Sequence, residues 1–234
     1  MKALLLIMFL TLSGCNWTIK RITEASTDGP YVFYRDGKLI VKSLRKSNDE
    51  INVRVDTFLN RSTANLMCYV DESTDSFPIL LKDTLLTEPS RYDLPERIFA
   101  ISDIEGNYKA FKNILVGAGV IDTQNNWTFK DGHVVLVGDF FDRGTSVTET
   151  LWLIYKLEGE AEKAGGKVHF ILGNHEMMNM YGNLKYLEDK YLKNAKLIDE
   201  KYKDFYWTES ELGRWLRTKN IAEQIGTILF VHGG

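Results

Sequence analysis

Cysteine, single-sign charge and long hydrophobic runs are all scarce in this chain of 234 residues. There are two cysteines, so a disulfide framework of the kind that staples small secreted domains is excluded. Lysine and arginine total 29 against 32 acidic residues, a formal charge of −3. No charge excess therefore argues for binding nucleic acid or an anionic surface. The nearly unbroken apolar run from Ala3 to Leu12 is far shorter than the ~20 residues needed to cross a bilayer. What is present is a 44% hydrophobic content, which suits one substantial domain plus a small appendage.

The short apolar run has a different meaning. Met1-Lys2 supplies a basic start, and Leu12-Ser13-Gly14-Cys15 follows the run. This resembles the lipobox of bacterial lipoprotein signal peptides, so residues 1–15 are expected to be a processing signal and not fold. Cys15 would become the lipid-bearing first residue, anchoring the chain to the bacterial cell envelope on a periplasmic or outer-membrane face. Cleavage would remove Lys2 and leave 28 basic against 32 acidic residues. Cys68 would then have no intrachain partner and is expected to be a buried small residue.

Residues 16–95 read as a β-rich section, a spacer or cap without chemical motifs. Tyr31 to Tyr34 and Leu39 to Val41 flank Asp36-Gly37, a hairpin signal. Ile51-Asn52-Val53-Arg54-Val55 alternates as a half-buried strand does. From Arg97 the pattern becomes strand-loop-helix. Strands are expected at Ile98 to Ile101, His133 to Val137, Val168 to Leu172 and Thr227 to Val231. Asn107 is placed to cap a helix with Tyr108, Phe111, Ile114 and Leu115 on one face. A second helix is expected over Thr145 to Ala164, stopped by Gly165-Gly166. This alternation is α/β.

Polar side chains follow these strands. Asp103 and Glu105 come after the first, Asp139 after the second, Asn174 and His175 after the third, and His232 after the fourth. In open α/β sheets ligands gather beyond the carboxyl ends of strands, so the four strands are expected to deliver metal ligands to one edge. An Asp after a strand is commonly a turn former; convergence of several is what points to a site. His133 and His169 lie at no ligand position and are expected in the core or on the surface.

Ser102-Asp103-Ile104-Glu105-Gly106-Asn107, Gly138-Asp139-Phe140-Phe141-Asp142-Arg143-Gly144, Gly173-Asn174-His175-Glu176, Gly213-Arg214-Trp215-Leu216-Arg217 and His232-Gly233-Gly234 occur in this order. Their wording resembles the calcineurin-like metallophosphoesterases, especially the phosphoprotein phosphatases and their Shewanella-like relatives. The resemblance covers Ile98 to Gly234. It implies part of a four-layer αββα sandwich over residues 96–234 and hydrolysis of a phosphate monoester, from a phosphoprotein or a small metabolite. Two divalent cations are implied, manganese before iron, magnesium or zinc. Asp139 would bridge them, with Asp103 and Glu105 on the first and Asn174 and His232 on the second. His175 would be the general acid held by Asp142, and Arg143 a fork for phosphate oxygens, with Asn174 also facing the phosphate. Glu176 would orient neighbouring groups. Arg214 and Arg217 are open between substrate phosphate and a solvated helix face. The alternatives are a dinucleoside-polyphosphate hydrolase, or an inactive envelope lipoprotein that binds metal or phosphate.

Two departures stand out. Glu105 occupies a position that is His in most of the family; as a ligand it would tilt the site toward manganese, magnesium or iron over zinc. The chain also stops directly after His232-Gly233-Gly234, where the family continues with further ligands, so a truncated domain is expected.

Overall fold

The computed structural model describes residues 25–48, 50–70 and 75–233; the expected signal and lipidation motif around Cys15 lies outside them. Strands β1 (Asp28–Arg35), β2 (Lys38–Ser47) and β3 (Glu50–Phe58) form an antiparallel sheet in that order. The β1–β2 turn falls on Asp36-Gly37, both with positive φ. Strands β4 (Leu66–Tyr69) and β5 (Ser76–Ile79) make a separate antiparallel pair. Strand β6 (Arg91–Tyr92) precedes β7 (Ile98–Ile101), helix α1 (Tyr108–Gly117), β8 (His133–Val137), α2 (Val147–Lys163) and β9 (Lys167–Ile171). Helices α3 (Asn174–Tyr181), α4 (Asp189–Leu197) and α5 (Glu211–Leu216) follow, then β10 (Ala222–Ile225) and β11 (Ile228–Val231).

Strands β7, β8 and β9 pair in parallel, joined by crossovers through α1 and α2. Their side chains alternate between two cores, as period-2 geometry requires. Val134, Leu136, Val168 and Phe170 face the helices, where Leu151, Ile154 and Leu157 of α2 are buried. Val135 and Ile171 face a second sheet and pack on Ile225 of β10. That second sheet runs β11–β10–β6, with β10 antiparallel to β11 and parallel to β6. Helices, parallel sheet and mixed sheet are three successive layers of an α/β sandwich.

The expected strands therefore form and divide between the two sheets, β7, β8 and β9 in the parallel one and β11 in the mixed one. Two helix details also differ. Ile114 is exposed, so the buried face of α1 is Tyr108, Phe111 and Leu115. Helix α2 begins at Val147, whose amide is capped by the Tyr191 hydroxyl at 2.8 Å, a partner that local sequence does not announce.

The β-rich section shares the main core. Tyr31, Val32 and Phe33 belong to the same buried cluster as Leu151 and Trp215. Trp152 Nε1 donates to the Pro30 carbonyl at 2.8 Å, and Tyr31 stacks on Phe205 with centroids 3.8 Å apart. Cys68 is a free, buried thiol.

Candidate active site

The loops after β7 and β8 are laced together by backbone bonds. The amides of Asp103, Glu105 and Gly106 donate to the carbonyls of Gly138, Asp139 and Phe140 at 2.9–3.0 Å. Among the described residues, ten non-glycine residues have positive φ, and Asp103, Glu105, Asp139, Asp142 and Arg143 are half of them. L-residues rarely enter this region, and such strain gathers where side chains must be aimed. Two glycines allow the closeness. A Cβ on Gly138 would lie 2.7 Å from Gly173, and one on Gly173 would lie 2.4 Å from Asp139 Oδ1.

Asp103, Asp139 and His232 each turn one ligand atom into a common space, all within 4.8 Å of one another. His232 Nδ1 lies 2.7 Å from the Val137 carbonyl. A carbonyl only accepts, so Nδ1 carries a hydrogen and Nε2 is left to face Asp139 Oδ2 at 3.1 Å. Two lone-pair atoms at that separation need a proton or a cation between them. Burial opposes charge on His232, but the Val137 carbonyl and the Asp139 and Asp103 carboxylates outweigh it and raise its pKa. Two carboxylates and an imidazole are a donor set that divalent manganese, iron, magnesium or zinc accepts. These residues fit a metal.

His175 sits in the first turn of α3. Its amide donates to Asp139 Oδ1 at 3.0 Å, and its Nδ1 meets Asp142 Oδ2 at 2.7 Å. Nε2 is thereby turned toward Asp139, 3.8 Å from Oδ2. Glu176, fully buried, accepts from the amides of Asp139, Phe140 and Gly173 at 2.7–2.9 Å. Burial pushes its carboxyl pKa up, against the pull of those three donors.

The remaining expected residues divide. Asn174 is the exposed first residue of α3, beside His175. Glu105 stands apart from the Asp103–Asp139–His232 group: its carboxylate pairs with the Arg143 guanidinium. Arg214 lies over the Tyr34 ring, 4.6 Å from its centroid. Arg217 donates to the carbonyls of Tyr206 and Gly213. Arg217 thus ties α5 to the preceding turn, and Arg214 stands on the exposed face of that helix. Tyr186 was not singled out by sequence: its ring is 5.1 Å from that of His175, and its carbonyl accepts from the Arg143 amide at 3.1 Å. It lies in the loop between α3 and α4, where no motif signals it.

Residues 96–234 match the family model for calcineurin-like phosphoesterases. The chain belongs to that family. Calcineurin-like phosphoesterases use divalent metals, in keeping with the Asp103–Asp139–His232 group. The chain is similar to Shewanella-like protein phosphatase 2 of Arabidopsis thaliana, 35% identical over 70% of this chain and 39% of that protein. It is similar also to Shewanella-like protein phosphatase 1 of Plasmodium berghei, 31% identical over 59% of this chain and 39% of that one. Among solved structures of the fold, it superposes on a cold-active protein-tyrosine phosphatase of a psychrophilic Shewanella species with a TM-score of 0.75. There the identity is 32%, over 89% of this chain and 61% of that one. The chain therefore spans about two fifths of the length of the two curated relatives and 61% of the solved one.

Proposed function

We propose that this chain hydrolyses phosphate monoesters, carried by a protein or a small metabolite, with divalent cations held by Asp103, Asp139 and His232. The observation that carries the reading is the meeting of these three ligand atoms with the His175–Asp142 pair across the shared residue Asp139. A divalent cation held by these residues would supply Lewis acidity, polarising the phosphate and lowering the pKa of an attacking water. Two such ions would follow the family pattern, with Asn174 completing the second site, and two carboxylates with one imidazole suit manganese, iron, magnesium or zinc.

The chain's own groups do the rest. Asp142 keeps a hydrogen on His175 Nδ1, so in the acid form Nε2 carries the second one. That proton is given to the departing alkoxide oxygen, leaving His175 as the neutral Nδ1–H tautomer. Arg143 lines a cleft of about 550 Å³ together with Asp103, and its planar fork suits phosphate oxygens. The Leu12-Ser13-Gly14-Cys15 motif supports placing this activity at the bacterial envelope through lipid on Cys15.

The test is hydrolysis of p-nitrophenyl phosphate with and without Mn²⁺. Asp139→Asn is expected to lose both bound metal and turnover. His175→Asn is expected to keep its metal yet lose about 100-fold or more in kcat. Turnover unaltered in His175→Asn at full metal content would overturn the assignment.

A further inference from the structure

Glu105 and Arg143 face each other across the cleft beside Asp103. Their side chains form an ion pair in which both groups keep contact with solvent. Neither is aimed by a helix or strand; both stand in left-handed loop positions, φ 50° and 55°. Tyr186 holds Arg143 from the other side, its ring centroid 5.2 Å from the guanidinium carbon. The Asp103–Asp139–His232 group assembles without Glu105. A guanidinium matches carboxylate and phosphate oxygens with the same fork of donors. A carboxylate on Arg143 therefore stands where phosphate oxygens would.

We propose that Glu105 is an internal competitor for the phosphate seat on Arg143. It keeps the fork aligned while the seat is empty and yields it when the phosphate group arrives. This rests on the reading of Arg143 as a phosphate ligand. One ion pair replaces another, and no covalent bond changes. The carboxylate is partly exposed and pairs with a half-exposed guanidinium, which makes it a weak occupant, so a dianionic phosphate displaces it. The same exchange weakens the hold on product phosphate, which favours its release. Glu105 acts through Arg143 and is a positioning residue.

The experiment is calorimetric titration of the purified full chain, loaded with Mn²⁺, with inorganic phosphate. Wild type, Glu105→Gln, Arg143→Gln and the double variant are compared, with metal content measured for each. Glu105→Gln is expected to bind phosphate about three- to fivefold tighter at unchanged metal content. The gain is expected to vanish in the Arg143→Gln background. Removal of a nearby negative charge alone would tighten phosphate equally in both backgrounds, which would overturn the proposal. Unchanged or weaker binding in Glu105→Gln would overturn it too. Loss of metal in that variant would assign Glu105 to the metal centre instead. If Arg143→Gln alone binds phosphate as wild type does, the underlying role of Arg143 fails, and the competition falls with it.

Discussion

Glu176 touches no ligand atom of the candidate metal group, yet three loop amides converge on its buried carboxylate. An acceptor-only group suits three donors; an amide does not, because its NH₂ would face one of them. Glu176→Gln is expected to cost about 2 kcal/mol of stability and to lower turnover by loosening Asp139, read from urea midpoints and phosphatase assays. Unchanged values in both would remove the positioning role. At this scale the sequence was informative where chemistry demands a residue type, as at Asp103, Asp139, His175 and His232. It was silent on Tyr186, whose nearness to His175 is set by the path of a loop.

Among the elements, the strand-to-loop junctions do the aiming. Gly173 approaches Asp139 so closely that a Cβ would meet both its carboxylate and its amide; backbone atoms cannot step aside as a flexible side chain can. Gly173→Ala is expected to lose about 2–3 kcal/mol. Gly117, the last residue of α1, has open space around its Cα. Gly117→Ala is expected to add about 0.5–1 kcal/mol. Thermal unfolding of both variants checks the contrast, and equal effects would refute the crowding account. Helix α1 was legible because its cap is local: Asn107 Oδ1 accepts from the Ala110 amide at 3.1 Å. The outward turn of Ile114 was not, because the packed arc of α1 is narrower than its apolar stripe.

For the whole molecule, the two sheets meet around a histidine pair. His169 Nδ1 lies 2.6 Å from Glu223 Oε2 on β10, and its Nε2 lies 2.9 Å from His133 Nδ1. Burial, then the neighbouring His169 and Lys167, depresses the His133 pKa to about 4. The unfolded chain, with histidine near ~6.5, thus takes up the proton first. Stability is expected to be full above about pH 6.5 and to fall as pH drops toward 4. After allowance for solvent screening the loss is about 1 kcal/mol. Urea unfolding at pH 7 and pH 5 measures it, and His133→Gln should flatten the slope. A slope identical in both proteins would reject this origin.

Sequence by itself determined the chemistry and the alternation of the domain. Metal-binding and acid–base work restrict residue types sharply, and strand-loop-helix order is written in local periodicity. Tertiary structure decided what those groups meet. Which sheet receives β11, the pairing of Glu105 with Arg143 and the seat of Arg214 over Tyr34 all depend on contacts between residues far apart in the chain. Such contacts are selected by the packing of whole surfaces, which no local pattern encodes.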